Sequence, residues 1–249
     1  MESFLNYFHE KMDTINFSYF ERDDVKLDKL LGSGYIGEVY EGRMTEFNED
    51  IPVVVKKLHS SSYCWGSEDE CLYDDVYSEV KMWSLIKESK NIIQFYGYSV
   101  KIDGEEVSLY IIMEKTKANG DLKSYIGCDE FWVQLTEREY DDSNSHTLLY
   151  HEGEYWDYIM SQKDKIDLMV KMVNAVKDLH DSNVVHSDIK PQNMLYDGEN
   201  VKLIDFNASV YLGNESCIKG KKEQGTPGYM PKEMYKGEIS YKSDIYELG

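Results

Sequence analysis

The residues best equipped for chemistry lie in His186-Ser187-Asp188-Ile189-Lys190-Pro191-Gln192-Asn193, followed twelve residues later by Asp205-Phe206-Asn207. A carboxylate, a lysine and an amide fall within six residues, and a second carboxylate follows a short apolar run. Phosphoryl transfer requires such a set. Asp188 would orient a hydroxyl and take its proton, and Lys190 would neutralise charge on the moving phosphate. Asn193 and Asp205 would offer oxygen ligands to magnesium. Taken alone, the octapeptide reads as a solvated turn between a helix and a strand, so the surrounding elements have to decide.

Those elements are in place. Ile166, Met169, Val170, Val173, Val176 and Leu179 recur at helical spacing, which predicts a helix with these six on one face, leading into Val184-Val185-His186. Val201-Lys202-Leu203-Ile204-Asp205 reads as a short strand delivering the second carboxylate. Upstream, Leu31-Gly32-Ser33-Gly34-Tyr35-Ile36-Gly37-Glu38-Val39-Tyr40 reads as strand, glycine turn, strand. A lone GxGxxG is a weak signal that more often marks a dinucleotide site. Here the glycines run into Val39 and a second strand rather than a helix, which argues against the dinucleotide reading. Glycine suits a turn in which backbone must approach phosphate oxygens with no Cβ in the way.

The β-branched strand Ile51-Pro52-Val53-Val54-Val55-Lys56-Lys57-Leu58 ends in lysine, and buried strands rarely carry lysine without a partner. Glu79, 23 residues beyond Lys56, is the candidate, on a helical segment with Val76, Val80, Trp83 and Ile86. Lys57 is the nearest rival, but strand alternation places Lys56 on the face of Val54. Asn91 to Tyr98 reads as turn and strand, Leu109 to Lys115 as an apolar strand with a polar connector, and Asn119-Gly120-Asp121-Leu122 as a helix start capped by Asp121.

In this order and spacing the motifs resemble those of the eukaryotic-type protein kinase superfamily from Val25 to Gly249. Six signatures carry the likeness: the glycine loop, Lys56, Glu79, the Asp188 loop, Asp205 and the segment Gly225 to Gly249. The resemblance implies an α+β, two-lobed fold, with an antiparallel sheet and helix C above a mainly helical lobe. It divides the chain into an extension (1–22), an N-lobe (23–115) and a C-lobe (116–249) carrying an acidic insert at about 127–162. It implies a site for ATP and Mg²⁺ in the cleft. Leu31, Gly32, Gly34, Gly37, Val39, Val54, Met113, Glu114, Thr116 and Leu195 would surround the nucleotide. Lys56, held by Glu79, would contact its α- and β-phosphates. Asp188 and Lys190 would act on the transferred group, with Asn193 and Asp205 on the metal. Asp244 would tie down the catalytic-loop backbone, and Glu233 takes the usual glutamate position at the end of the activation segment. Lys190 and Thr226 resemble serine/threonine kinases, so transfer to serine or threonine hydroxyls of proteins is the expected activity.

Three departures accompany the likeness. Ser187 stands where many kinases have an arginine that grips an activation-segment phosphate, and serine cannot form that bidentate clamp. Asn207 replaces a glycine that often takes positive φ, a region asparagine tolerates. Val54 replaces a usual alanine over the adenine. The chain also stops at the start of helix F, which should expose apolar surface and reads as a fragment of a longer product, with a minimal kinase completed by a partner or by its N-terminal segment as the alternative. These features lend weight to a second reading, a pseudokinase or nucleotide-binding scaffold with little transfer. The retained Lys56, Asp188, Asn193 and Asp205 weigh against it.

Composition narrows the partners. Among 249 residues, 41% hydrophobic and 13% aromatic content argue for a folded chain. A formal charge of −20 argues against nucleic acid or an anionic membrane and is compatible with a basic protein substrate. Residues 127–162 hold nine acidic residues against one basic and read as a solvated loop, with a docking surface for a basic partner as the rival reading. Cys64, Cys71, Cys128 and Cys217 show no metal-ligand spacing and read as free thiols of a soluble, intracellular protein. The sequence leaves the oligomeric state open.

Overall fold

The computed structural model describes residues 18–33, 37–46, 49–59, 77, 79–103, 106–118, 120–126, 161–220 and 224–249. Gly34, Cys64, Cys71, Val76 and Cys128, most of the acidic insert (127–160) and residues 1–17 lie outside them.

Six strands build one sheet in the order β1-β5-β6-β4-β3-β2: β1 (Ser18–Tyr19), β2 (Val25–Ser33), β3 (Gly37–Glu46), β4 (Glu49–His59), β5 (Phe95–Asp103) and β6 (Glu106–Glu114). All neighbours are antiparallel except β1, which pairs parallel with β5 through Ser18 opposite Gly97 and Tyr19 opposite Tyr98. The sheet therefore starts within the expected N-terminal extension, where Ser18–Tyr19 form a strand. The reason is local: the Tyr19 ring sits edge-on to Tyr98, and the Phe20 amide donates to the Tyr98 carbonyl at 2.9 Å.

Strand alternation sorts β4 into two faces. Val53 and Val55 join Val25, Met44, Tyr110 and Ile112 in an outer cluster. Leu58, with Val54 packed beside it, faces a larger core that includes Leu109, Ile111 and Met113. Lys56 falls on that inner face. The same core takes in Val80 and Trp83 from helix α1 (79–85) and continues down into the second lobe through Leu122, Leu179, Met194, Leu203 and Phe206.

The second lobe joins helices and short strand pairs among the described residues. It contains α2 (Leu122–Tyr125), α3 (Gln162–His180) and α4 (Tyr241–Leu248), with the short strand pairs β8 (Met194–Tyr196) against β9 (Val201–Leu203) and β7 (Val184–Val185) against β10 (Val210–Tyr211). Asp121 caps α2, accepting from the Ser124 amide at 2.8 Å, and Ser161 caps α3. The loop after α1 is fastened to α3. Asp178 accepts from the Ser89 hydroxyl at 2.6 Å and the Asn91 amide at 2.9 Å, while the Lys87 amide donates to the Ser182 hydroxyl at 2.9 Å. No described helix is long and apolar enough to cross a membrane.

The predicted helical face of α3 is corrected. Val176 and Leu179 are buried, with Leu168 and Ala175 beside them, but Ile166, Met169, Val170 and Val173 are 61%, 58%, 51% and 48% exposed. The apolar arc is wider than the strip that the described residues cover, so periodicity located the arc and not its packed half. Leu179→Ala should destabilise the fold by about 2–5 kcal/mol and Met169→Ala by less than about 0.5 kcal/mol. Thermal or denaturant unfolding of the two variants checks the assignment, and equal losses would refute it.

Candidate active site

Three elements converge on one ammonium. Lys56 Nζ, on the inner face of β4, donates to Glu79 of α1 at 3.0 and 3.2 Å and to Asp205 Oδ1 at 3.1 Å. Lys57 instead approaches Glu38 on the partly exposed side, at 3.8 Å. Burial alone would push Lys56 below the ordinary lysine value, but the two carboxylates outweigh it and hold the ammonium charged. Burial would likewise raise Asp205, and the contact with Lys56 brings it below the ordinary carboxylate range. The arrangement is supported from behind. Phe206, fully buried, meets Trp83 edge-on at 5.4 Å and His186 at 5.3 Å, and Trp83 stacks on Phe95 at 4.9 Å. Asp205 adopts φ 65°, a region that residues other than glycine seldom enter, which marks it as a position fixed by its surroundings.

Below Lys56, the Asp188 carboxylate is the centre of a second network. Its Oδ2 accepts from Lys190 Nζ at 2.8 Å and Asn193 Nδ2 at 2.9 Å, and its Oδ1 accepts from the Thr226 hydroxyl at 2.6 Å. Lys190 also donates to the Thr226 hydroxyl at 2.7 Å. Asp188, Lys190, Asp205, Asn207 and Gly225 line an open cavity of about 280 Å³. Asn193 spends its amide hydrogens on the Asp188 carboxylate and carbonyl, which turns its Oδ1 outward. Asp205 uses Oδ1 for Lys56 and Asn207, leaving Oδ2 with no protein partner among the described residues. One amide oxygen and one carboxylate oxygen are a donor set suited to a hard cation such as Mg²⁺.

The expected nucleotide-binding residues that are described lie on β2, β3, β4, β6 and β8 and on the connector after β6. Gly32 pairs with Val39, Val39 with Lys56 and Val54 with Met113 across β2, β3, β4 and β6. Leu31 is on β2, Thr116 follows β6, and Leu195 is on β8. The glycines divide in purpose. A Cβ on Gly32 would meet nothing within 4 Å, which leaves room for a ligand, whereas one on Gly37 would sit 2.1 Å from the Lys57 carbonyl. Gly37 is therefore required by the close approach of β3 to β4. The Glu114 side chain accepts from Lys202 at 2.7 Å and from the Gln94 amide at 2.8 Å, tying the sheet to β9.

The loop that carries Asp188 is held from below. Asp244 on α4 accepts from the amides of His186 at 2.9 Å and Ser187 at 2.8 Å, as the sequence predicted, and from His180 Nε2 at 2.7 Å. Ser187 is fully buried at φ 66°, with its hydroxyl unpartnered among the described residues, so it grips nothing. Gly225, at φ 110°, passes so close to Ser187 that a Cβ would lie 2.8 Å from its carbonyl. The segment between Asp205 and Gly225 is fastened by backbone instead. Ile218 and Ile239 exchange two hydrogen bonds of 2.9 Å, and Val210, Leu212 and Ile239 cluster with Val185. Asn207 is not among the positive-φ residues. It stays in ordinary space and donates Nδ2 to Asp205 Oδ1 at 2.7 Å, so the departure from glycine adds a contact and no strain.

Sequence reasoning brought together Lys56, Glu79, Asp188, Lys190, Asn193 and Asp205, and the structure places them in one cleft. It missed Thr226 as a partner of Asp188 and Lys202 as a partner of Glu114. Gly34 lies outside the described residues. Among the described cysteines, Cys217 is a free thiol.

A two-lobed fold with this cleft defines a protein kinase domain, and comparison agrees. The protein kinase domain model matches residues 25–249, so the chain belongs to the protein kinase family. Its relatives include the serine/threonine-protein kinase KIC1 of Saccharomyces cerevisiae, 29% identical over 90% of this chain and 17% of that protein. The membrane-associated tyrosine- and threonine-specific cdc2-inhibitory kinase wee-1.3 of Caenorhabditis elegans is 26% identical over 96% of this chain and 29% of its own length. The LEAF RUST 10 disease-resistance locus receptor-like protein kinase-like 1.1 of Arabidopsis thaliana is 25% identical over 94% and 32%. The chain thus spans less than a third of each of these relatives.

The lysine–carboxylate triangle has a pH signature. Burial pushes the Glu79 carboxyl above the ordinary carboxylate range, with Lys56 pulling against it. Lys56→Met removes that pull and raises Glu79 further. A carboxyl raised in the folded state favours folding below its unfolded value and loses that contribution as pH rises through the folded value. The Lys56→Met stability deficit should therefore be about 3 kcal/mol at alkaline pH and shrink towards acid pH. Unfolding curves across pH check this, and a deficit that grew on acidification would contradict it.

Proposed function

We propose that this chain is the working part of a protein serine/threonine kinase that transfers the γ-phosphate of Mg²⁺-ATP to hydroxyl groups of protein substrates. The observation that carries the reading is Lys56 bound at once to Glu79 and Asp205, with Asp188 ordered beneath them. A scaffold has little physical need for a buried ammonium held between two carboxylates. Lys56 would hold the α- and β-phosphates, and the Val54–Met113 end of the sheet would seat the base. Asn193 and Asp205 would hold Mg²⁺, which when bound supplies neutralising charge and geometry to the phosphates. Asp188 would orient the acceptor hydroxyl and take its proton, and Lys190 would offset charge on the group in transit. Most of the acceleration would come from positioning and preorganised charge.

The serine/threonine assignment rests on the Lys190–Thr226–Asp188 network. KIC1 is a serine/threonine kinase by name and wee-1.3 is tyrosine- and threonine-specific, so threonine acceptors fit both. The net charge of −20 suits a basic acceptor, and the free thiol of Cys217 suits a reducing, intracellular setting.

Transfer of γ-phosphate to a basic protein tests the reading. Asp188→Asn and Asp205→Ala should each abolish it, and prior phosphatase treatment should leave it intact, because no arginine at position 187 waits for a phosphate. No transfer with retained ATP binding would favour the scaffold reading, and loss after phosphatase would refute the phosphate-independent activation segment.

A further inference from the structure

Asp244 and Glu247 lie three residues apart on α4, a spacing that puts both side chains on one face. Asp244 accepts from the His186 and Ser187 amides. Glu247 Oε2 accepts from the Ile189 amide at 2.8 Å. One helix face thus takes three of four successive backbone donors, and the amide it skips belongs to Asp188. Glu247 is only 7% exposed, and its other oxygen, Oε1, is buried with no hydrogen-bond partner among the described residues. A buried, half-satisfied carboxyl costs stability that an apolar residue would not. None of the transfer chemistry assigned above uses it.

We infer that Glu247 is a positioning residue for the transfer site: by holding the Ile189 amide it fixes the chain on one side of Asp188, as Asp244 fixes it on the other. The inference rests on the reading of Asp188 as the group that orients the acceptor. Ser187 is held at φ 66°, so the loop keeps its shape only while its surroundings over-determine it. Release of Ile189 would free Asp188 and Lys190 together. A displacement of about 1 Å at reacting groups lowers rate by about 100-fold.

The charged groups facing Glu247 are Asp244 on its own helix and Asp188 and Lys190 on the loop, with His180 and His186 around Asp244. Burial first, then Asp244 and Asp188, push its carboxyl up to about 8 against the Ile189 amide and Lys190. At neutral pH it is therefore a neutral acid that accepts through Oε2. Ionisation at higher pH adds a negative charge beside those of Asp244 and Asp188, with one oxygen unpaired. Its contribution to stability is full at acid pH and is lost as pH rises through about 8.

The full chain as wild type, Glu247→Gln and Glu247→Ala tests this, with kcat and KM measured from neutral to alkaline pH and the Ile189 amide followed by nuclear magnetic resonance. Glu247→Ala should lower kcat by about 100-fold with KM for ATP little changed. Glu247→Gln, which keeps an acceptor for the Ile189 amide, should retain most of the turnover. The Ile189 resonance should titrate near pH 8 in wild type and stay fixed in Glu247→Gln. Turnover in Glu247→Ala equal to wild type, a Gln variant as impaired as the Ala variant, or an Ile189 resonance that does not titrate would overturn the inference. If wild type shows no transfer, the kinase reading fails, and the Ile189 titration decides the hydrogen bond by itself.

Discussion

A single buried ammonium sets the relation between the parts of this molecule. Lys56 enters on the inner face of β4, where alternation with Val54 and Leu58 commits it to the core side. A charge there must be paired or it costs several kcal/mol. Its partners come from α1 and from the turn after β9, 23 and 149 residues away in sequence. Satisfying Lys56 therefore fixes the helix against the sheet and the sheet against the lower lobe at one point. The aromatic contacts of Trp83 with Phe95 and Phe206 steady that point, since Asp205 directly precedes the fully buried Phe206.

The second constraint acts from the opposite side. The catalytic loop has little regular structure of its own, and its backbone donors would be unsatisfied if buried without partners. Helix α4 supplies carboxylates to them, and α3 supplies His180 to Asp244. Asp188 is thereby presented at the top of a loop whose shape is dictated from below, while its own carboxylate is oriented by Lys190, Asn193 and Thr226. Activation-segment order comes from the same direction. Val210 and Leu212 pack on Val185, and Ile218 bonds reciprocally with Ile239, so packing and backbone bonds do the fastening that an arginine and a phosphate would otherwise do.

Much of this was legible in the residues, for physical reasons that can be named. Lys56 could be separated from Lys57 because strand alternation is strict. Glu79 could be chosen because a buried lysine needs a carboxylate and the helical pattern around Val80 and Trp83 supplies one. Asp244 was legible through its place in a family motif. What stayed hidden has no local signature. Asp178 meeting Ser89 and Asn91, Lys202 meeting Glu114, and Thr226 meeting Asp188 join residues between 38 and 89 positions apart. The face of α3 was misjudged because periodicity reports where apolar residues lie and is silent about what covers them. The contact of Asn207 with Asp205 was likewise hidden, although the tolerance of asparagine at that position was legible.

We propose that Asn193 and Asp205, with Lys56, form a magnesium-dependent nucleotide site. The most direct test is the affinity of the chain for ATP with and without Mg²⁺, in wild type and in Asp205→Asn, by titration calorimetry. Magnesium should tighten binding to the wild type, and Asp205→Asn should erase most of that gain while leaving metal-free binding little changed. Magnesium-independent affinity in the wild type, or a magnesium effect untouched by Asp205→Asn, would contradict the account.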